Sequence, residues 1–594
     1  MVEFEAQRRD ATARTGTLRF EQTALLTPAI LWYASERISP PPFADFYLSQ
    51  EEGRYPRLGH AGRYFFPLSR RGSTIPPTLV YPAALPDGFH QMAAAWNQEQ
   101  ADEVQVVSAS APDRIAPQAT LCVLANAREL FAHPRIFVDA ITRMREVVGY
   151  QRALYTPGLG LPEHLAVLAY CTVDVMDSLS LIEHARRGQF LSVEGSTGAE
   201  ELPEVPCFCP ACQRQERSFS WLLSHNCHAA AAELRLVRNA VVRQELRNLV
   251  ETRAAGNPHL ASIVRLMDNQ HYDFQEKRYP VTGGPIEASP YTLTRPDVER
   301  FRQRVLDRYG RPSSARILLL LPCSARKPYS FSPSHRRFRE VVQACGNPGV
   351  VHEVMVTSPL GLVPRELEMV YPAAHYDISV TGEWSRDEQV MLCALLHRYL
   401  QDNRYDLVIQ HLPPGIAGFL DLDAVSTCRD HPTEPESLER LASVLKAESG
   451  AYPPVTNHAR RLDILHGVLR YQFGRAEPLL EGCTVRGRYP GYKIMAGGHQ
   501  VGMLVEERGL VSLTLEGGRR LVATGRYWVT IDDFVPRGSV FAVGVRDADP
   551  AIRAGDEVVV LHGTEVRAVG VATMNGEEMA ESRRGEAVAT RHHC

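Results

Sequence analysis

Cys207, Cys209 and Cys212 stand in a C-x-C-x2-C run. Three soft thiolates so close together form a metal-binding set. Tetrahedral closure needs a fourth ligand. His225, in the segment WLLSHN, is the favoured one, with Cys227 and His228 nearby as alternatives. Four protein ligands leave no open coordination position, so the expected metal, Zn2+, is structural. A second cysteine has a different setting. In RILLLLPCSARKPYSFSPSHRRFRE an aliphatic strand runs to Leu321, Pro322 stops it, and Cys323 emerges. That places Cys323 at the carboxyl edge of a sheet, where open α/β sheets bind ligands. Arg326, Lys327 and a helix starting near Ser334 all favour thiolate over thiol, which makes Cys323 a candidate nucleophile. A buried, inert cysteine is the alternative. The chain has four lysines (Lys277, Lys327, Lys446 and Lys493) against 61 arginines. A surviving lysine in so arginine-rich a chain points to a need for an amine that can lose its proton.

These residues need elements to hold them. From Thr15 to about Asp268 strand and helix patterns alternate, with strands such as LCVLANA and TVDVMD and helices such as RIFVDAITRMREVVGY. Such alternation predicts a parallel α/β fold, for which a (β/α)8 barrel has the right size. A helix comes next over Ser218 to Arg253, then a turn-rich boundary. A charged helix, the RILLLLP strand and the segments VVHEVMVTSP and YDLVIQHLP predict a second α/β domain with a largely parallel sheet. Short strands and glycine turns dominate the end of the chain. The expected division is 1–285, a barrel with the metal site; 290–435, an α/β domain with the cysteine loop; 436–524, a small α+β domain; and 525–594, a β-rich domain.

The 594 residues exceed one core and suggest about three to five domains. The start lacks the apolar segment of a secretory signal and no run approaches a membrane span, so a cytoplasmic protein is expected. Net charge is −4, which does not advertise a nucleic-acid binder. Locally, residues 300–340 hold eleven Lys or Arg against two acids: a candidate anion-binding surface, or else a solvated helix face.

Three resemblances add to this reading. TGTLRFEQTALLTPAIL, TVDVMDSLSLIEHARRGQFLSVEG, CFCPAC and LLSHN, over roughly residues 10–270, are similar to the archaeal tRNA-guanine transglycosylase family. That resemblance implies a transglycosylase-type barrel with a Cys3His zinc site. It maps the family's nucleophilic aspartate onto Asp177, with Asp174 preceding it. A carboxylate at the C-terminal end of a barrel strand is placed to attack a ribose anomeric carbon; the alternative is a hydrogen-bonded structural acid. The family's base-gripping loop has no counterpart, since Gly62 to Gly72 reads GRYFFPLSRRG. Second, the pattern Pro322, Cys323, Lys327, Pro328, Tyr329, Ser332 and His335, with TSPLGLVPRELE and YPAAHYDISVTGEW, resembles the archaeosine synthase family over nearly the whole chain. Third, residues from Arg526, with DPAIRAGDEV, resemble the PUA domain that binds structured RNA. Eight arginines against eleven acids there imply docking by shape rather than net charge.

The archaeosine synthase resemblance implies addition of free L-lysine, through its side-chain amine, to the nitrile of 7-cyano-7-deazaguanine in the tRNA D-loop. A separate radical-SAM lyase partner then completes archaeosine, and no nucleotide cofactor is needed. In that chemistry Cys323 adds to the nitrile, His335 or Lys327 moves protons, and Tyr329, Ser332 and Ser334 orient the base or nitrile. Direct attack by the amine is the rival mechanism. Two other functions remain open: exchange of guanine for 7-cyano-7-deazaguanine through Asp177, and noncatalytic tRNA binding. Related enzymes also imply a homodimer through the zinc region.

Overall fold

The computed structural model describes residues 2–20, 23–35, 37–44, 47–48, 103–109, 112–113, 115–214, 217–378 and 382–594. The chain divides into two compact units. One is Met1–Pro280 with Phe541–Val543 and Ala580–Gly585; the other is Val281–Val540 with Gly544–Met579 and Glu586–Cys594.

In the first unit the described strands form a six-stranded sheet in the order Tyr47–Leu48, Ala29–Tyr33, Val175–Asp177, Ala153–Tyr155, Leu121–Leu124 and Val104–Val107. Every neighbouring pair is parallel. The first strand of this sheet in sequence, Ala29–Tyr33, pairs with its last, Val175–Asp177. That first-to-last pairing is the one by which a parallel barrel closes. The two ends of the sheet, Tyr47–Leu48 and Val104–Val107, flank residues 49–102 in sequence. Those residues, including the Gly62–Gly72 segment, lie outside the described ones.

Alternate strand residues fill the interior: Ala29, Leu31, Val104, Val106, Leu121, Val123, Ala153, Tyr155 and Val175 form one cluster. Phe4, Leu18 and Leu25, from the antiparallel strands Val2–Asp10, Ala13–Phe20 and Thr23–Thr27, join it. The period-two rule puts Asp177 on the same inward face as Val175. The long helix Phe219–Arg243 begins at Ser218, whose hydroxyl accepts the Trp221 N–H.

The second unit is built on a five-stranded sheet ordered Gly361–Pro364, Val351–Thr357, Ile317–Pro322, Leu407–Gln410 and Val425–Ser426. All pairs are parallel except Gly361–Pro364 with Val351–Thr357. The central strand is aliphatic throughout because both its faces are covered. Ile317, Leu319 and Leu321 pack on Phe338, Val342, Leu441 and Leu445. Leu318 and Leu320 are equally buried on the opposite face. At about 1.5–3 kcal/mol per buried side chain, this strand is a firm platform for the cysteine loop at its end.

A four-stranded antiparallel sheet spans Thr484–Arg486, Lys493–Ala496, His499–Val505 and Leu510–Leu513. A six-stranded sheet then takes the order Val540–Phe541, Glu586–His593, Glu565–Ala572, Glu557–His562, Trp528–Ile531 and Val545–Ala548. The helix Leu515–Val522 lies close on that sheet, where a Cβ at Gly518 would come within 2.5 Å of Val569.

The basic stretch from Arg300 is neither a free anion surface nor a solvated face at its start. Arg300, Arg302 and Arg304 are all buried in the helix Pro296–Asp307. Arg302 pairs with Glu299 at 2.6 Å, and Arg304 lies over the Tyr471 ring. A charge count cannot see acids and aromatic rings that fold back onto the same helix. Among the described residues no helix is long and apolar enough to cross a membrane.

Candidate active site and metal centre

Cys207, Cys209, Cys212 and His225 come together, with their ligand atoms all within 4.8 Å of one another. The Cys209 and Cys212 sulfurs are 3.5 Å apart, and His225 Nδ1 lies 3.3 Å from Cys212 Sγ and 3.7 Å from Cys209 Sγ. Bonds of about 2.3 Å to sulfur and about 2.0 Å to nitrogen give a tetrahedron with edges of roughly 3.5–3.8 Å, so the spacing fits a metal ion. His225 donates from Nε2 to the Leu191 carbonyl at 2.8 Å, which turns the Nδ1 lone pair toward the thiols. Phe190 stacks on its ring at 3.6 Å. Next in sequence, Asn226 accepts the Leu191 N–H and donates to the Gln189 carbonyl. The His-Asn pair thus fastens the helix to the hairpin strand Gln189–Ser192. Burial lowers the His225 pKa and keeps the imidazole neutral, the form a metal requires.

Asp174 and Asp177 are both buried but differ in surroundings. Asp174 is paired with Arg14 at 2.9 Å and Arg145 at 2.6 Å, and holds the strand in place. Asp177 is held by hydrogen bonds from uncharged donors. Its carboxylate accepts from the Tyr155 hydroxyl at 2.6 Å, the Gly158 N–H at 2.9 Å and the Leu179 N–H at 2.9 Å. Burial raises its pKa, opposed by those three donors. This arrangement fits the reading of a hydrogen-bonded structural acid.

Cys323 follows the central strand of the second sheet. The chain runs from that strand to Val351–Thr357 on one side, and later crosses to Leu407–Gln410 on the other. The crevice where strand order reverses is therefore at the carboxyl end of the Cys323 strand. A cavity of about 810 Å3 opens there. Cys323, Ser324 and Arg326 line it from the first loop, and Ser332, Ser334 and Arg337 from the helix Pro333–Gln343 and its cap. Ser358, Trp384 and Glu388 form another wall, and Pro413, His431 and Thr433 a third. Glu388 accepts from the Ser358 hydroxyl at 2.5 Å and closes a capping box with Ser385.

The expected site residues do not all face this cavity. Cys323 does, half-buried. Its pKa is raised, since burial outweighs the Thr357 hydrogen bond and the Lys327 charge that lower it. The expected resting thiolate is therefore a thiol with groups in place to support its anion. Lys327 Nζ lies 4.0 Å from the Tyr376 ring centroid and is buried without a hydrogen-bond partner among the described residues. Burial lowers its pKa, with Cys323 and Asp377 acting the other way. Ser332 caps the helix Pro333–Gln343 by accepting the His335 N–H.

His335 does not fit the expected part of proton carrier. Its Nε2 donates to the Pro322 carbonyl at 3.0 Å, and its Nδ1 accepts from Arg365 at 2.9 Å. Arg365 is itself held by Glu353 and Glu368. Burial and the Arg365 charge depress the His335 pKa to about 2, so the ring stays neutral. It anchors the strand end beside Cys323. Tyr329 is likewise buried, its hydroxyl 2.5 Å from that of Tyr376, and does not line the cavity. Sequence reasoning assigned no role to Thr357, Tyr376, Trp384, Glu388 or Arg365. The one available signal was that VMVTSP ends, like LLLLPC, in a polar turn.

A barrel with a fastened Cys3His group, together with a second sheet whose switch crevice holds a cysteine, defines a multidomain α/β protein. A model of the PUA domain, an RNA-binding domain, matches residues 515–594, taking in the helix Leu515–Val522. A domain of unknown function, DUF5591, matches residues 298–445, which contain the cysteine crevice. An archaeosine synthase of Haloferax volcanii is 36% identical across 99% of both chains. An archaeosine synthase subunit alpha of Methanosarcina acetivorans is 34% identical, again over 99% of both. A tRNA-guanine(15) transglycosylase of Methanothermobacter thermautotrophicus is 30% identical over 77% of this chain and 68% of its own. The chain belongs to the archaeosine synthase family.

Proposed function

We propose that the protein, a tRNA-modifying transferase, adds the side-chain amine of free L-lysine to the nitrile of 7-cyano-7-deazaguanine in the D-loop of tRNA. The observation that carries this reading is Cys323, half-buried on a cavity at the switch crevice. The Cys323 sulfur adds to the nitrile carbon, and the thiol proton ends on the nitrile nitrogen, giving a thioimidate. The lysine amine then attacks the same carbon. The carbon–sulfur bond breaks, one amine proton returns to sulfur, and an amidine remains on the base. Atoms balance without an oxidant or nucleotide.

Trp384 offers a stacking face for the base, and Glu388 with Ser358 draws the incoming ammonium, which gives one proton to solvent before it attacks as the amine. Lys327 steadies the thiolate by charge, while Tyr329, Ser332 and His335 support the loop from behind. Asp177 keeps the barrel's shape. Cys207, Cys209, Cys212 and His225 hold a structural Zn2+, which supplies a covalent clamp and no reacting group. A radical-SAM lyase consumes the amidine, and a homodimer through the metal region is the working form, in the cytoplasm.

Intact-nucleoside mass spectrometry of nitrile-bearing tRNA incubated with the protein and L-lysine tests the reaction. A gain of one lysine at the deazaguanine is expected. Exchange of labelled guanine without that gain would move the chemistry back to the barrel.

A further inference from the structure

Extending one strand register places an unassigned hydroxyl on the reacting sulfur. Pro322 pairs with Val356 in the parallel ladder, so Cys323 falls opposite Thr357. That register sets the Thr357 hydroxyl beside the Cys323 sulfur, where it works to lower the thiol pKa. It also lies 2.5 Å from the Tyr376 hydroxyl, which lies 2.5 Å from that of Tyr329. All three side chains are buried. Lys327 Nζ sits on the Tyr376 ring.

We propose that Thr357 is a catalytic residue of this site and that Tyr376 and Tyr329 position it, the three hydroxyls forming one wire that stabilises the Cys323 thiolate. This rests on the reading of Cys323 as nucleophile. The Thr357 hydroxyl donates to the Ser358 carbonyl at 3.1 Å, and the neighbouring Cys323 sulfur is the second acceptor to which it turns. With a thiol present it donates to the carbonyl and accepts from S–H. When the sulfur becomes an anion, rotation about one bond turns the donor onto it. Tyr329 donates to Tyr376, and Tyr376 to Thr357, so each bond polarises the next. The Lys327 cation over the Tyr376 ring makes that phenol a stronger donor. The wire acts in both halves of the reaction, because thiolate is the attacking group in the first and the leaving group in the second.

The other charges around the sulfur are Lys327 and Asp377 on the loop side. Arg326 lines the cavity from the Cys323 loop itself, and Arg337, Glu383, Glu388 and His431 line its other walls.

The test is the pH dependence of iodoacetamide alkylation at Cys323 in the full-length protein, read by mass spectrometry on its own peptide. Thr357→Val should raise the apparent thiol pKa by about one unit, roughly a tenfold slower alkylation near neutral pH. Tyr376→Phe should shift it less in the same direction, and Thr357→Ser should restore the parent value. An unchanged pKa in Tyr376→Phe and in any folded Thr357→Val would overturn the proposal. Alkylation needs neither tRNA nor lysine. If Cys323→Ala kept full turnover, the covalent reading would fall on its own while the wire was still measured.

Discussion

Asp177 and Cys323 occupy equivalent places in two different sheets. Each stands at or just past the carboxyl end of a parallel strand, the position from which α/β enzymes act. They differ in what the fold leaves free. Asp177 is fully buried, and its two oxygens are committed to a phenol and two backbone amides. Cys323 is half-buried and faces a cavity of about 810 Å3, with Thr357 beside it in the neighbouring strand. A nucleophile needs an unoccupied direction of approach as well as a strand end. Within one chain, the same topological position is sealed in one sheet and open to a cavity in the other.

The largest expected effect sharpens this contrast. Cys323→Ala should lower lysine addition by at least about 10^3-fold, as loss of a covalent nucleophile does, with tRNA affinity held within about twofold. Filter binding and nucleoside mass spectrometry separate the two quantities. Near-full turnover in this variant would leave direct amine attack as the mechanism.

A metal-site variant probes the barrel without touching the crevice. Cys212→Ser should lose the ion, read as metal content by plasma mass spectrometry, and several kcal/mol of stability. Structural zinc sites contribute about 10–16 kcal/mol in isolated finger peptides. The Cys323 alkylation profile should be unchanged. A variant that lost its metal yet melted like the parent would show that the cluster is not a clamp.

The parts legible in the sequence were those written in short spans. C-x-C-x2-C and a histidine on the next helix specify their own geometry, because turn and helix fix ligand spacing locally. The aliphatic strand ending in Pro322 and Cys323 announced a sheet edge for the same reason. The groups that give Cys323 its surroundings come from long-range pairing instead. Thr357 reaches the sulfur through strand register and Tyr376 through a separate two-residue strand pairing with Ile286–Glu287. No local spacing records either. Burial also reversed a local inference: cations and a helix start near Cys323 suggested a thiolate, but desolvation outweighs them.

Asp177→Asn tests the sealed site directly. The substitution replaces one acceptor oxygen with a donor that must face Tyr155 or a backbone amide. Leaving such a buried group unsatisfied costs about 1–3 kcal/mol. A lower melting temperature with lysine addition retained per folded molecule is expected. Loss of turnover in a variant that melted normally would make Asp177 part of the chemistry.

The last effect, absent at neutral pH, concerns His335, and it decides whether the crevice has a titrating imidazole. Folding lowers its pKa from 6.5 to about 2, through burial first and the Arg365 charge second. Between those values the unfolded chain carries a proton on this ring that the folded protein does not. Stability from this group is therefore full above about pH 6.5 and declines as pH falls toward 2, by up to about 1.4 kcal/mol per pH unit. His335→Gln removes the group that titrates, so its unfolding free energy should fall less steeply in acid than the parent's, as urea denaturation at a series of pH values would record. Equal slopes would mean that His335 takes up a proton in the native state. It would then be a proton carrier like the thiol it stands behind, rather than a brace like Asp177.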